Sequence, residues 1–133
     1  MLDPIYESIS ERLASLELPV EWYNVQYEES MIHDAGFFVE FPDRIPIDEL
    51  SKDAMRAPVK IRLHTYSKAL RTNDGIPAET IQDHEKKAKD ARDLLRNWAP
   101  EGCKKLNWTG WQHWHRWKGW MVTFVEFETK MMV

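Results

Sequence analysis

Pro58-Val59-Lys60-Ile61-Arg62-Leu63-His64-Thr65-Tyr66 alternates apolar and polar side chains without a break. On an extended chain, Val59, Ile61, Leu63 and Thr65 share one face and Lys60, Arg62, His64 and Tyr66 the other. A strand buried on both sides reads as a continuous apolar run, so this one belongs to a mainly antiparallel sheet. One face of that sheet is packed, and the other meets solvent or a partner.

Downstream, Asn73-Asp74-Gly75 and Pro77 mark residues 68–78 as a loop. A helix follows, from about Glu79 to Trp98. Its buried line is Ile81, His84, Ala88, Ala91, Leu94 or Leu95, and Trp98, at helical steps of three and four. Ala88 and Ala91 are small enough to let that helix lie close on a sheet. Pro100 and Gly102 end it. The last third, residues 105–133, reads as a Trp-rich hairpin. Lys118-Gly119 is its turn, and Val122, Phe124, Val125 and Phe127 lie on its second strand.

Upstream, Pro4 suits a first helical turn, and Ile5, Ile9, Leu13 and Leu16 draw one stripe that Pro19 terminates. Residues 20–28 are rich in aromatic and β-branched types and read as a strand. Phe37, Val39 and Phe41 form another, stopped by Pro42. Residues 42–56 are the longest irregular stretch, and Asp48 to Lys52 suit one helical turn. A connection this long is either a plain surface excursion or a functional loop. The expected order is α-β-β-β-α-β-β, a single α+β domain over 1–133 with both helices on one face of the sheet.

The chain has 133 residues, 22 acidic against 18 basic, for a net charge of −4. That balance argues against a general nucleic-acid binder, which usually carries a basic excess. A single cysteine, Cys103, excludes an intramolecular disulfide framework and fits a reducing, cytoplasmic setting. No basic and apolar leader opens the sequence, and no apolar run approaches the roughly 18–20 residues of a membrane span. Gly-rich phosphate loops, G-x-S-x-G, H-E-x-x-H and dinucleotide fingerprints do not occur. No cofactor is expected.

Seven residues are Trp, and five recur at intervals of three: Trp108, Trp111, Trp114, Trp117 and Trp120. Three matches neither a strand period nor a helical one, so the series is expected to divide across a strand, a turn and a second strand. Part of it packs the core and part, with Trp111, Trp114 and Trp117, offers a contact surface. A stacking platform for sugar or nucleic acid is the alternative. For that reading, Lys104, Lys105, His113, His115, Arg116 and Lys118 supply local positive charge. His113 and His115 share a strand face and are the weak candidates for a metal, which would need further ligands from Cys103, His64, His84 or Asp83. Solvent-exposed histidines beside a turn are the better account of the pair. Asp83-His84-Glu85 does not converge for acid–base work, because consecutive helical residues point about 100° apart.

The opening helix Pro4 to Ile9, the strand Pro58 to Tyr66, the helix carrying His84, Leu94 and Leu95, and the closing strand Val122 to Phe127 together resemble the tail terminator group. These are small tail-completion and head–tail joining proteins of long-tailed bacteriophages and prophages. The Trp-rich hairpin has no counterpart in the resemblance. The resemblance implies a non-catalytic structural protein, assembled in the cytoplasm into a ring, commonly hexameric. That ring caps the tail tube and faces a head-side connector. The implied partners are further copies of the chain, the tail tube and the connector, with no membrane and no sequence-specific nucleic acid. Arg62 and His64 on the polar strand face, and Asp48 and Glu49 in the 42–56 loop, are then the expected interface residues. Charge reversal at Arg62 is expected to lower oligomer mass. Asp43, Asp48, Glu49 and Asp53 would give a ring lumen an acidic lining that lets DNA slide.

Overall fold

The computed structural model describes residues 1–29, 31–51 and 54–132. Two helices, α1 (Asp3–Leu13) and α2 (Ala78–Leu95), accompany six strands. The strands are β1 (Val20–Trp22), β2 (Ala35–Glu40), β3 (Asp48–Ser51), β4 (Ala54–Lys68), β5 (Asn107–Trp114) and β6 (Trp120–Met132). The sheet order is β1-β2-β4-β6-β5, with β3 on the early part of β4. Among the described residues only the β1–β2 pair is parallel, so the sheet is mainly antiparallel and the fold is α+β.

Both helices lie on one face. Ile5, Ile9 and Leu13 of α1 and Ala88, Ala91 and Leu95 of α2 close over Phe37, Val39, Val59, Ile61, Leu63, Val125 and Phe127. The strand alternation and the helical stripes meet in this one core, and burial of that apolar area is the main stabilising term. Trp98 packs against it from just beyond α2. The helix ends earlier than Pro100 requires: Arg96 is already extended, and Asn97 takes a left-handed conformation, φ 60°.

Two local expectations are corrected. The strand over 20–28 stops at Trp22. Gln26 turns the chain there, its side-chain amide donating to Trp22 O at 2.8 Å while its Oε1 accepts from Asn24 N–H at 2.6 Å. Val25 sits at φ 54°, a left-handed value that a β-branched residue rarely adopts, and Gln26 to Glu28 form a 3₁₀ turn. In the 42–56 stretch, Asp48 to Ser51 are extended and not helical. β4 begins at Ala54, before the alternating stretch, and its first residues supply a ladder for β3. An ion pair of 3.1 Å between Arg56 and Asp48 crosses that ladder. Asp53 lies outside the described residues.

The Trp spacing has a simple geometric cause. Trp108 pairs with Phe127 and Gly110 with the next residue, Glu126, so Thr109 is inserted as a bulge. The bulge resets the alternation and puts Trp108 and Trp111 on the helix face together. Arg92 of α2 lies 4.8 Å from the Trp108 ring centre and 5.8 Å from that of Trp111. Trp114 follows three residues later without a further bulge and points to the opposite face. Trp117 lies in the turn and Trp120 opens β6, both in the aromatic layer of that second face.

Candidate functional site

The sheet face away from the helices carries the chemistry in three zones. Towards the end of β4, Tyr27, Phe38, Tyr66 and Phe124 form a second buried cluster, with Tyr23, Trp114, Trp117 and Trp120 packed on it. In the middle stand Glu40, Arg62 and Glu126. At the start of β4, lysines and the acidic β3 strand lie at the sheet's two sides.

His64 belongs to the first zone. It lies on the polar face of β4 as expected from the alternation, yet it is 1% exposed, with the Tyr23 ring stacked at 4.4 Å. Alternation placed it on the correct face, but the segment between β1 and β2 covers that face. Its Nε2 lies 2.8 Å from Glu40 Oε1. Burial holds the ring below its ordinary pKa, opposed by Glu40, and the hydrogen bond from His64 holds the Glu40 carboxyl down. A neutral His64 therefore donates from Nε2 to an ionised Glu40. Its Nδ1 lone pair is buried without a hydrogen-bond partner among the described residues, as is Tyr27 Oη. An unpaired buried hydroxyl is a standing cost of about 1–3 kcal/mol. Tyr27→Phe is accordingly expected to leave stability unchanged or raise it by about 1 kcal/mol in chemical denaturation. A clear loss would mean the hydroxyl has a partner.

Arg62 is held within its own chain. Its Nε donates to Glu126 at 3.2 Å, its Nη1 to Glu40 at 3.4 Å, and its guanidinium lies 4.8 Å over the Phe124 ring. Reversing it would crowd three carboxylates, so oligomer mass alone is a confounded readout at this position. Asp48 and Glu49 are exposed on β3. Trp111 is half-buried on the helix face; Trp114 and Trp117 are half-buried on the other, Tyr27 lying edge-on to Trp114 and stacked on Trp117.

The His113 and His115 rings are 4.4 Å apart beside a cleft of about 680 Å³ at the hairpin tip. Of the other suggested ligands His84 comes nearest, its ring 6.2 Å from that of His113, but its nitrogens are taken. His84 places Nδ1 2.8 Å from Ser67 Oγ and Nε2 2.9 Å from Thr123 Oγ1, so both ring nitrogens are engaged. His64 is on the opposite face. Cys103 is bridged to Met131 at the other end of β6, its thiol pKa raised by burial. Asp83 is exposed while His84 is buried. Among the described residues no group of three or more His, Cys, Asp or Glu is placed to hold a metal ion.

Sequence reasoning missed Glu40 and Glu126 as partners of Arg62, and the grouping of Lys104, Lys105 and Lys130. Both depend on strand register, for which the sequence carries no local signal.

No protein-family model matches the chain, and no curated protein matches it in sequence. Among solved structures, the fold is similar to a chain of a "Virion of native gene transfer agent (GTA) particle". The TM-score is 0.70 at 10% identity, over 98% of this chain and 96% of that one. At that identity the likeness is one of fold.

Proposed function

We propose that the chain is a non-catalytic structural protein of a phage or prophage virion, a ring-former that caps the tail tube and joins it to the head. The observation that carries this reading is the end-to-end likeness of fold to a virion chain. A shared fold does not by itself fix a role, so the reading draws also on the local sequences that resemble tail terminators and on the distribution of charge. The partners on this reading are further copies of the chain, the tail-tube protein and a head-side connector. Assembly takes place in the cytoplasm and the product is a virion component. On this reading Asp48, Glu49 and the Arg62 zone meet neighbouring copies.

The stacking-platform alternative has less in its favour, because Trp117 is stacked on Tyr27 and Trp114 packs edge-to-face with both, leaving each half-buried in the aromatic layer.

The test is co-expression with a phage tail-tube protein, followed by electron microscopy of the tubes. Tubes of closed length with a terminal ring are expected. Tubes of unlimited length, with the chain absent from their ends, would overturn the reading.

A further inference from the structure

We propose that neighbouring copies join head-to-tail, the β3 edge of one copy docking its Asp48 and Glu49 on a lysine cleft at the opposite edge of the next. This inference rests on the ring reading and names the surfaces that would close the ring.

The cleft has a volume of about 350 Å³ and is lined by Lys60, Lys104, Lys105 and Lys130, with Glu128 as its acidic residue. Lys60 is already matched by Asp43 at 3.2 Å and Glu128 at 3.9 Å. Lys104, Lys105 and Lys130 are exposed and join no ion pair among the described residues. Three unmatched lysines together are notable in a chain of net charge −4.

The sheet places the two charged edges at the same height. Asp48 is opposite Arg56, and Arg56 is opposite Met132 of β6. Met132 N–H donates to Gly102 O, and Lys104 N–H donates to Lys130 O. Across this end the row is therefore β3, β4, β6 and the 102–105 segment, its outer members roughly 14 Å apart at ordinary strand spacing. One outer member carries Asp48 and Glu49 and the other carries the lysines. Glu49 joins no ion pair among the described residues, and Asp48 is matched only by exposed Arg56.

Unlike patches on opposite edges cannot satisfy each other within a two-fold dimer that uses one patch twice. They pair heterologously, and a repeated heterologous contact closes a ring when its rotation divides a full turn and otherwise winds an open filament. Complementary charge sets the register of such a contact and suppresses wrong neighbours. Among the described residues β3 pairs with β4 alone, so its other side offers backbone groups to the same neighbour.

The experiment is native mass spectrometry with two variants, Asp48→Lys/Glu49→Lys and Lys104→Glu/Lys105→Glu/Lys130→Glu. All five positions are exposed, and circular dichroism confirms folding. Each variant alone is expected to run as monomer, with subunit affinity weakened at least about a hundredfold. Mixed in equal amounts, the two should recover ring mass as an alternating ring, because every contact then pairs opposite charges again. A wild-type ring whose mass the reversals leave intact, or a mixture that stays monomeric, would overturn the interface while leaving the ring reading standing. A wild-type chain that is monomeric throughout would overturn the ring reading itself. Loss of affinity for a short DNA duplex, with ring mass unchanged, would assign the lysines to phosphate and overturn the docking.

Discussion

Gly36→Ala is expected to destabilise the fold by about 3 kcal/mol, the upper end of what overpacking costs. A Cβ at position 36 would lie 2.6 Å from Tyr66 Oη and 2.8 Å from Pro19 O. Neither neighbour has room to withdraw. Tyr66 is 1% exposed and stacked on Phe38 at 4.4 Å between ring centres. Pro19 O accepts the Phe37 N–H at 2.8 Å, so moving it would break the contact where β1 joins β2. Chemical denaturation measures the loss. The same substitution in a Tyr66→Phe background should cost clearly less, since the nearest atom is gone; equal costs in both backgrounds would show that Tyr66 does not close over Gly36.

Acid should destabilise the protein by a similar amount, beginning near pH 6.5. His84 lies between α2 and the sheet, and its pKa is lowered to about 4 by burial first, then by His113 and Lys87. The unfolded chain binds a proton near pH 6.5 and the folded one only near pH 4. Stability is therefore full above 6.5 and falls as pH drops through that window, by up to about 3 kcal/mol for this group. His64 and His113, also lowered mainly by burial, act in the same direction. Glu40, whose carboxyl is held down by the His64 hydrogen bond, adds a loss as it is protonated at still lower pH. In His84→Gln the slope of stability against pH between 6.5 and 4 should be shallower. Stability independent of pH over that window would contradict the buried neutral ring.

The parts of the fold legible in the sequence are those where one element's own pattern meets a single burial boundary. The alternation in β4 and the stripes Ile5-Ile9-Leu13 and Ala88-Ala91-Leu95 are of this kind. The parts that were not legible depend on distant partners. His64 reads as a polar-face residue until Tyr23 and Tyr27, some forty residues earlier, cover it. The residues of β3 have no strand pattern of their own and are extended because β4 starts early enough to pair with them. The bulge at Thr109 explains why Trp108 and Trp111 share a face, yet only the pairing with Phe127 and Glu126 reveals it. The same holds for the lysine cleft, in which Lys130 meets Lys104 across a backbone hydrogen bond of 2.9 Å.

The proposal that the chain assembles as a virion component has a direct test. The most direct measurement is the native mass of the purified untagged chain at high concentration, alone and with tail-tube protein added. The account predicts a closed oligomer of a single defined number of copies, bound at tube ends when tubes are present. A strict monomer under both conditions would contradict it.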